Sequence, residues 1–450
     1  MDKNNLDIEI DHIKDNFTEL HPSDIADSLK KISKKDRKKF YEILHTIPDD
    51  ILGEVLLELP EALRDKAYKS LSNIQISQAL EELETDDATD IILDIEDLDE
   101  QKAKEILNSL DQEDQDDINW LKKYDENEAG AYMQIELFSA NKNETIQESI
   151  NRLKVMKEND EIENIHQVFI VDDEKILIGS IGLEDLLTYD FNLKYDEILK
   201  KDIDNQYKPF SVVGDDDIDE VVKQFEHYNL SVVAVIGYKN RLLGRITSDD
   251  ILDVVEQSAT EQMYQLAGVD DEAEQEEEFF QTGKKRASWL FINLLTAILA
   301  SVVIGIFDET LKEFIALAIL MPIVASMGGN AGTQTLAVMV RQLALGDIDE
   351  ENGRDAIKKE VLIALLNGFL FATILAGIAS FWFDNILLGL VIALSMIITL
   401  FSAGFFGSII PLALKKMDID PAIGSTVLLT TVTDITGFFS FLALAKFILM

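Results

Sequence analysis

The stretch TTVTDITG, residues 430–437, sets one carboxylate, Asp434, inside an apolar run that extends from residue 422 to the end of the chain with no other charge before Lys446. A charge at membrane depth costs at least ~2.5 kcal/mol on insertion scales, so such residues are rare. They mark ion or proton pathways, or they pair with a polar group on a neighbouring helix. Thr430, Thr431, Thr433 and Thr436 surround Asp434 with oxygen. Oxygen donors with no sulfur or histidine nearby suit Mg2+, Ca2+ or Mn2+. Mg2+ keeps most of its waters and usually meets only one or two carboxylates, so one Asp per chain fits a mostly hydrated Mg2+ better than a dehydrating cage.

Working outward, four more stretches reach the ~20 apolar residues a membrane span needs. The five expected spans are about 287–307, 314–340, 361–383, 386–414 and 422–449. Lys284, Lys285 and Arg286 precede the first; Arg341, Arg354, Lys358 and Lys359 lie between the second and third; Lys415 and Lys416 lie between the fourth and fifth. The other two loops hold only Lys312. By the positive-inside rule the N-terminal half is cytoplasmic and the C-terminus is outside. In the second span, Met321-Pro322 is followed by SMGGNAGTQ, residues 326–334. Its proline and glycines can break the helix, and broken backbone at membrane depth is tolerated only where it lines a cavity or is buried in protein. Asn330, Thr333 and Gln334 then line a pore; the alternative is a close helix crossing through small residues. In the fourth span Gly404, Gly407 and Pro411 read as packing and kinking residues.

The charge is very unevenly divided. The chain holds 84 acidic and 40 basic residues, for a net charge of −44, and the first 280 residues carry −42 of it. A surface so acidic excludes nucleic acid as a partner, since a phosphate binder needs a basic face, and it concentrates cations. There is no cysteine, which excludes disulfides and thiolate metal sites and suits cytosolic exposure. The start, MDKNNLDIEIDH, has no apolar core of a signal peptide.

Within that acidic half, Ile47, Leu59, Leu71, Leu83 and Ile95 are spaced twelve apart, and Leu20 with Ile32 and Leu98 with Leu110 keep the interval. Each unit is an apolar residue, a polar or proline start, and an amphipathic helix, as in LPEALRDKAYKS. Short regular repeats predict a stacked helical solenoid. The pattern changes near Met133. Helices are expected over 145–157 and 218–227, strands over 166–171, 176–181, 231–236 and 242–247, and short helices at 183–188 and 248–257. The order recurs, so a tandem α/β pair is expected. A helix over 259–280, holding the acid run 270–278, then leads to the membrane.

LHPSDIADSL from residue 20, the tandem α/β pair, ATEQMYQLAGV from 259, MPIVASMGGNAGTQ from 321 and DPAIGSTVLLTTVTDITGFF from 420 together resemble the MgtE family of magnesium channels over essentially the whole chain. The resemblance implies a multidomain fold. An all-α superhelical N domain (1–132) precedes an α/β tandem CBS pair (133–197 and 198–258), a connecting helix (259–285) and an α-helical transmembrane bundle of five spans (286–450). It implies a plasma-membrane homodimer with ten spans and a pore on the dimer axis, where Asp434 of each chain forms the main ion site. It further implies that the cytosolic domains sense Mg2+, which bridges acidic faces and holds the pore shut through the connecting helix. The matching acids are Asp94, Asp217, Asp219, Asp250, Asp253, Glu256 and Glu261, and each reads equally as a solvated carboxylate.

CBS pairs also bind adenine nucleotides such as ATP. Gly244, Thr247 and Asp250 match the ribose-binding pattern, whereas the first copy has Gly182 where threonine belongs. Asp250 is therefore claimed by both the ion and the nucleotide. An alternative transport mechanism is a proton- or sodium-coupled exchanger with Asp434 exchanging a proton for the metal. A membrane enzyme is disfavoured: the five histidines lie at 12, 21, 45, 166 and 227, none in the membrane half.

Overall fold

The computed structural model describes residues 14–450 except positions 15, 18, 160–161, 163, 203, 269–278, 347, 349–351, 418 and 423. The acid run 270–278 and His12 lie outside the described residues. Two compact units, Met1–Gln257 and Ser258–Met450, are each considered alone.

Among the described residues of the first unit, eight short helices follow one another: α1 (Pro22–Ser33), α2 (Arg37–Leu44), α3 (Asp49–Leu57), α4 (Glu61–Ser70), α5 (Asn73–Leu80), α6 (Thr85–Leu98), α7 (Glu100–Leu107) and α8 (Gln112–Leu121). The starts of α3 to α6 fall twelve apart, at Asp49, Glu61, Asn73 and Thr85. Start signals explain this register. Pro48 and Pro60 stand at the caps of α3 and α4, and Ser72 forms a capping box with Gln75 at α5. Asp36, Asp99 and Asp111 accept hydrogen bonds from the first-turn amides of α2, α7 and α8, satisfying groups that the helix itself leaves orphaned. Ile47, Leu59 and Leu71 are buried at the joints, Leu83 packs on the same core, and the next member of the series, Ile95, is buried within α6. Each helix stacks on the next but one, α1 on α3 on α5 on α7 and α2 on α4 on α6 on α8, so the expected helical stack is present as two interleaved rows.

Two copies of one α/β unit follow. In the first, β1 (Ser139–Asn141) pairs parallel with β2 (Gln167–Val171) across α9 (Ile146–Glu158), and β2 pairs antiparallel with β3 (Leu177–Gly182). Two short helices, α10 (Leu183–Leu186) and α11 (Tyr195–Leu199), close it. In the second, β4 (Ser211–Val213), α12 (Ile218–Tyr228), β5 (Val232–Ile236) and β6 (Leu242–Thr247) repeat the order. Both middle strands carry an irregularity at the same place, Ile170/Val171 and Val235/Ile236. Phe169, Val171 and Leu177 share one core with Val232, Ala234 and Leu242, so the two sheets bury each other's faces. The helix after β6 does not stop near residue 257. It runs unbroken as α13 (Ser248–Ala267) and ends where Gly268 takes φ +70°, a left-handed terminus that glycine adopts without strain.

Among the described residues the second unit contains five helices long and apolar enough to cross a membrane: α14 (Phe279–Ile306), α16 (Ile315–Ala344), α17 (Gly353–Phe383), α18 (Ile386–Lys415) and α19 (Ser425–Leu449), with the short α15 (Asp308–Glu313) between the first two. The third helix begins eight residues before its expected apolar start, because 353–360 is helix-forming despite its charge. The fifth begins at Ser425 rather than 422, after a turn in which Asp420 accepts from the Ala422 amide (2.7 Å) and Gly424 takes φ +67°. α18 is the central post, packed against α16, α17 and α19. Val391, Ile392, Ser395, Met396 and Thr399 are fully buried along it.

Candidate ion site and acid cluster

Asp434 sits on the tenth position of α19, about 13 Å along its axis at 1.5 Å per residue. Its carboxylate is half-buried and has no hydrogen bond or ion pair among the described residues. The threonines around it are committed on one side only. Thr430 and Thr431 donate to the Val427 carbonyl (3.1 and 2.6 Å), and Thr433 donates to that of Leu429 (3.0 Å). A hydroxyl that gives its proton to the backbone keeps its lone pairs for another donor or a cation. Thr399, fully buried on α18, has a hydroxyl with no partner, and it lies 3.5 Å from where a Cβ on Gly437 would stand, one turn from Asp434. Sequence reading missed Thr399, because only the packing of α18 on α19 brings it there.

The helix break expected around Pro322 and the glycines is absent: α16 is continuous from Ile315 to Ala344 with Pro322 inside it. The glycines serve packing instead. A Cβ on Gly328 would come within 2.6 Å of Thr399 Cγ2, and one on Gly332 within 3.1 Å of the Leu429 side chain. One on Gly407 would come within 3.0 Å of the Gly332 carbonyl. The two faces of this segment differ in burial. Gly328 and Gly332 are buried against α18 and α19, whereas Asn330, Thr333 and Gln334 are exposed on the opposite side.

In the first unit, acids converge where the solenoid meets the second α/β copy. Asp250, in the first turn of α13, accepts from the Thr247 amide (3.1 Å), the Thr247 hydroxyl (2.7 Å) and Gln134 Nε2 (3.3 Å). Facing it are Asp86, Asp87 and Asp90 of α6. Glu84, just before α6, pairs with the buried Arg245 at 3.2 Å. Asp94 lies 2.9 Å from Arg64 Nε and accepts from the Tyr68 hydroxyl at 3.3 Å. Thr85 hydrogen-bonds Glu136 across the same seam.

This crowding disfavours charge. Burial first, then neighbouring carboxylates, pushes Asp87 up to about 7 and Asp250 up to about 6. Burial pushes Glu84 up to about 7 against the opposing pull of Arg245. Asp86, 6% exposed with Oδ1 unpartnered, is raised well above the ordinary range by burial and then by Asp250. Among the described residues no three acidic side chains close into a ready metal cage. The arrangement suits hydrated cations bridging opposed carboxylates rather than direct chelation.

Of the sequence-derived acids, the structure brings Asp94 and Asp250 to this seam. Asp253, one turn on, is raised by burial and by Glu58. Glu256 adds to the charge around Asp253, and Asp219 acts with Asp90 of α6 on the Tyr132 hydroxyl. Asp217 caps α12 by accepting from the Asp219 amide (2.9 Å), Glu256 is exposed on α13, and Glu261 accepts from Gln265 (2.6 Å). Asp86, Asp87 and Asp90 were missed, yet Asp87, Asp90 and Asp94, three and four apart, share one helix face. Of the nucleotide set, Thr247 is 2% exposed and bonded to Asp250, and a Cβ at Gly244 would collide with Met133 and the Gln134 carbonyl, so packing alone accounts for that glycine.

Family models match in three parts: the MgtE intracellular N domain at 20–127, CBS domains at 129–192 and 201–257, and the MgtE divalent cation transporter at 321–444. A magnesium transporter MgtE of Enterococcus faecalis is 34% identical over 72% of this chain and 70% of its own length. One from Thermus thermophilus is 29% identical over 97% and 95%. A solved structure of the cytosolic domain of the Mg2+ channel MgtE in complex with ATP is 26% identical, covers 54% of this chain and 93% of that one, and has a TM-score of 0.48.

Proposed function

Because the chain belongs to the MgtE family of divalent cation transporters, a multi-pass membrane protein with a cytosolic N domain, we propose that it is a magnesium-selective channel that imports Mg2+ down its gradient and is closed by Mg2+ bound to its acidic cytosolic domains. The observation that carries this reading is the end of α13. The Leu266 carbonyl accepts from the Thr426 hydroxyl at 2.9 Å, and the Leu266 side chain packs with Leu336, Val340 and Leu429. The last turn of α13 (Ser248–Ala267) thus rests against α19 at Thr426, eight residues, or about 12 Å, before Asp434.

Asp434 is the main pore ligand, and it meets a hydrated ion. Asn330, Thr333 and Gln334 are exposed polar groups at membrane depth on a helix whose other face is packed. Such groups need a water-lined path or a second copy, which supports a homodimer with the pore between copies, and the basic loops support placing the C-termini outside. Bridging of Asp94, Asp250 and Asp253 by Mg2+ stabilises the closed state, with Asp217, Asp219, Glu256 and Glu261 as outlying sensing acids. Moving the population from 1:99 to 99:1 takes about 5.5 kcal/mol of differential binding, which several ions share. If ATP binds, it does so at Gly244, Thr247 and Asp250 and competes with Mg2+ for Asp250.

Mg2+ uptake into proteoliposomes with and without a pH or sodium gradient tests the mechanism. A channel gives flux set by the Mg2+ gradient alone. Flux that collapses when the coupling gradient is removed would establish the exchanger instead.

A further inference from the structure

One face of the first unit contradicts its charge. KKISKKDRKK, residues 30–39, packs seven of the chain's 40 basic residues into ten positions, within a half that carries −42 overall. The fold turns them outward. Leu29, Ile32, Phe40 and Ile43 are fully buried or nearly so, while Lys30, Lys31, Lys34 and Lys38 are exposed. These four lysines make no ion pair among the described residues. The one acid in the run, Asp36, is spent on the cap of α2, accepting from the Lys38 and Lys39 amides at 3.0 and 3.3 Å.

Local helix electrostatics explains only part of this pattern. Lys30 and Lys31 lie in the last turn of α1, where cations suit the helix dipole. Lys38 lies in the first turn of α2, where a cation opposes it. Solubility does not need these charges either, since the domain is already strongly charged.

We propose that this face docks on anionic phospholipid headgroups of the leaflet into which the same chain is inserted. The chain's own spans tether the domain to a bilayer, so the encounter is intramolecular and a weak attraction per lysine is enough. The rest of the domain is acidic and is repelled by an anionic leaflet. The basic face is the one an anionic leaflet accepts, and it acts within a Debye length, about 8 Å at physiological salt.

The chain contains no cysteine, so S33C gives a single labelling site within the patch, and Q101C on α7 gives one away from it. Each variant of the full chain, carrying a fluorophore, is reconstituted in nanodiscs with a fixed density of headgroup quencher, with chelator present throughout to hold Mg2+ constant. Replacing phosphatidylcholine in part by phosphatidylglycerol should raise quenching at S33C about twofold or more. That gain should vanish at about 0.5 M salt, where screening shortens the range of the attraction. It should also vanish in K30Q/K31Q/K34Q/K38Q, persist in K30R/K31R/K34R/K38R, and be absent at Q101C. Equal quenching in the two lipids at S33C, or a lipid-dependent gain that survives the glutamine variant, overturns the proposal. So does salt-sensitive energy transfer between two differently labelled copies in phosphatidylcholine alone, if the glutamine variant abolishes it, because that result assigns the patch to a second copy.

Discussion

Asp250 and Asp434 are both half-buried carboxylates, but their surroundings are opposite. Asp250 accepts three hydrogen bonds and faces other acids across a domain seam, with Arg245 and Arg64 offsetting only part of the charge. Asp434 has no charged neighbour and no hydrogen bond among the described residues, only threonine oxygens with lone pairs to spare. A carboxylate fixed in a crowd gains most from an ion that stays and neutralises it. A lone one in apolar surroundings can attract a dication without the multiple ligands that would trap it. On the function we propose, the same functional group holds an ion in one unit and passes it in the other.

The hardest test of that contrast is Asp434→Ala. It should cut Mg2+ uptake by proteoliposomes roughly tenfold or more, the change that each 1.4 kcal/mol of lost ion stabilisation produces. Asp434→Asn should also be impaired, since charge rather than shape draws the dication. Near-normal uptake by a folded Asp434→Ala protein would remove Asp434 from the pathway.

The two faces of α16 should separate next. Gly328→Leu forces a side chain into Thr399 and should cost about 1–3 kcal/mol, read as a lowered Tm in detergent. Asn330→Ala and Gln334→Leu should leave Tm nearly unchanged while altering uptake or ion selectivity. If those two act only on Tm, their face is packing surface as well.

The acid seam should respond to pH and Mg2+ together. Glu84 and Asp87 are raised to about 7 and Asp250 to about 6, whereas unfolded carboxylates titrate near 4. Between those values the folded state binds more protons than the unfolded one, so stability rises as pH falls from about 7.5 towards 5. Millimolar Mg2+ should do the protons' work at the high end, raising Tm more at pH 7.5 than at pH 5.5. A Mg2+ effect of equal size at both pH values would disconnect the seam from the ion.

The smallest expected effect is also the most local. Thr426→Val removes the hydrogen bond to the Leu266 carbonyl, worth about 0.5–1.5 kcal/mol, and should shift the Mg2+ dependence of channel closure without affecting conduction through the open state. An unchanged closing range in excised patches would mean that the end of α13 rests on α19 without coupling to it.

Much of this architecture is legible in the sequence because its signals are periodic or extreme. The twelve-residue recurrence from Ile47 to Ile95 announces the helical stack, and mean hydropathy and length announce the five spans. Other features depend on tertiary context. β1 and β4 are three residues each, too short for alternation to register, and each is defined by the strand beside it. The glycines of α16 read as a break in one dimension, but Thr399 and Leu429 supply the reason for them in three. Asp86, Asp87 and Asp90 look like ordinary solvated acids until α6 is set against Asp250. Asp434 stood out in the sequence because nothing around it resembles it.

The helix starts at Asp49, Glu61, Asn73 and Thr85 keep a strict interval, and this makes the solenoid a counting device. Inserting or deleting two such units, one helix for each row, changes the reach of the stack but leaves every later helix in its own row. Inserting a single residue within a helix turns all that follows in that helix by about 100° and carries its apolar side out of the core. Length variation in this part of the chain should therefore be quantised: tolerated in steps of a helix pair or at the joints between helices, and purged elsewhere.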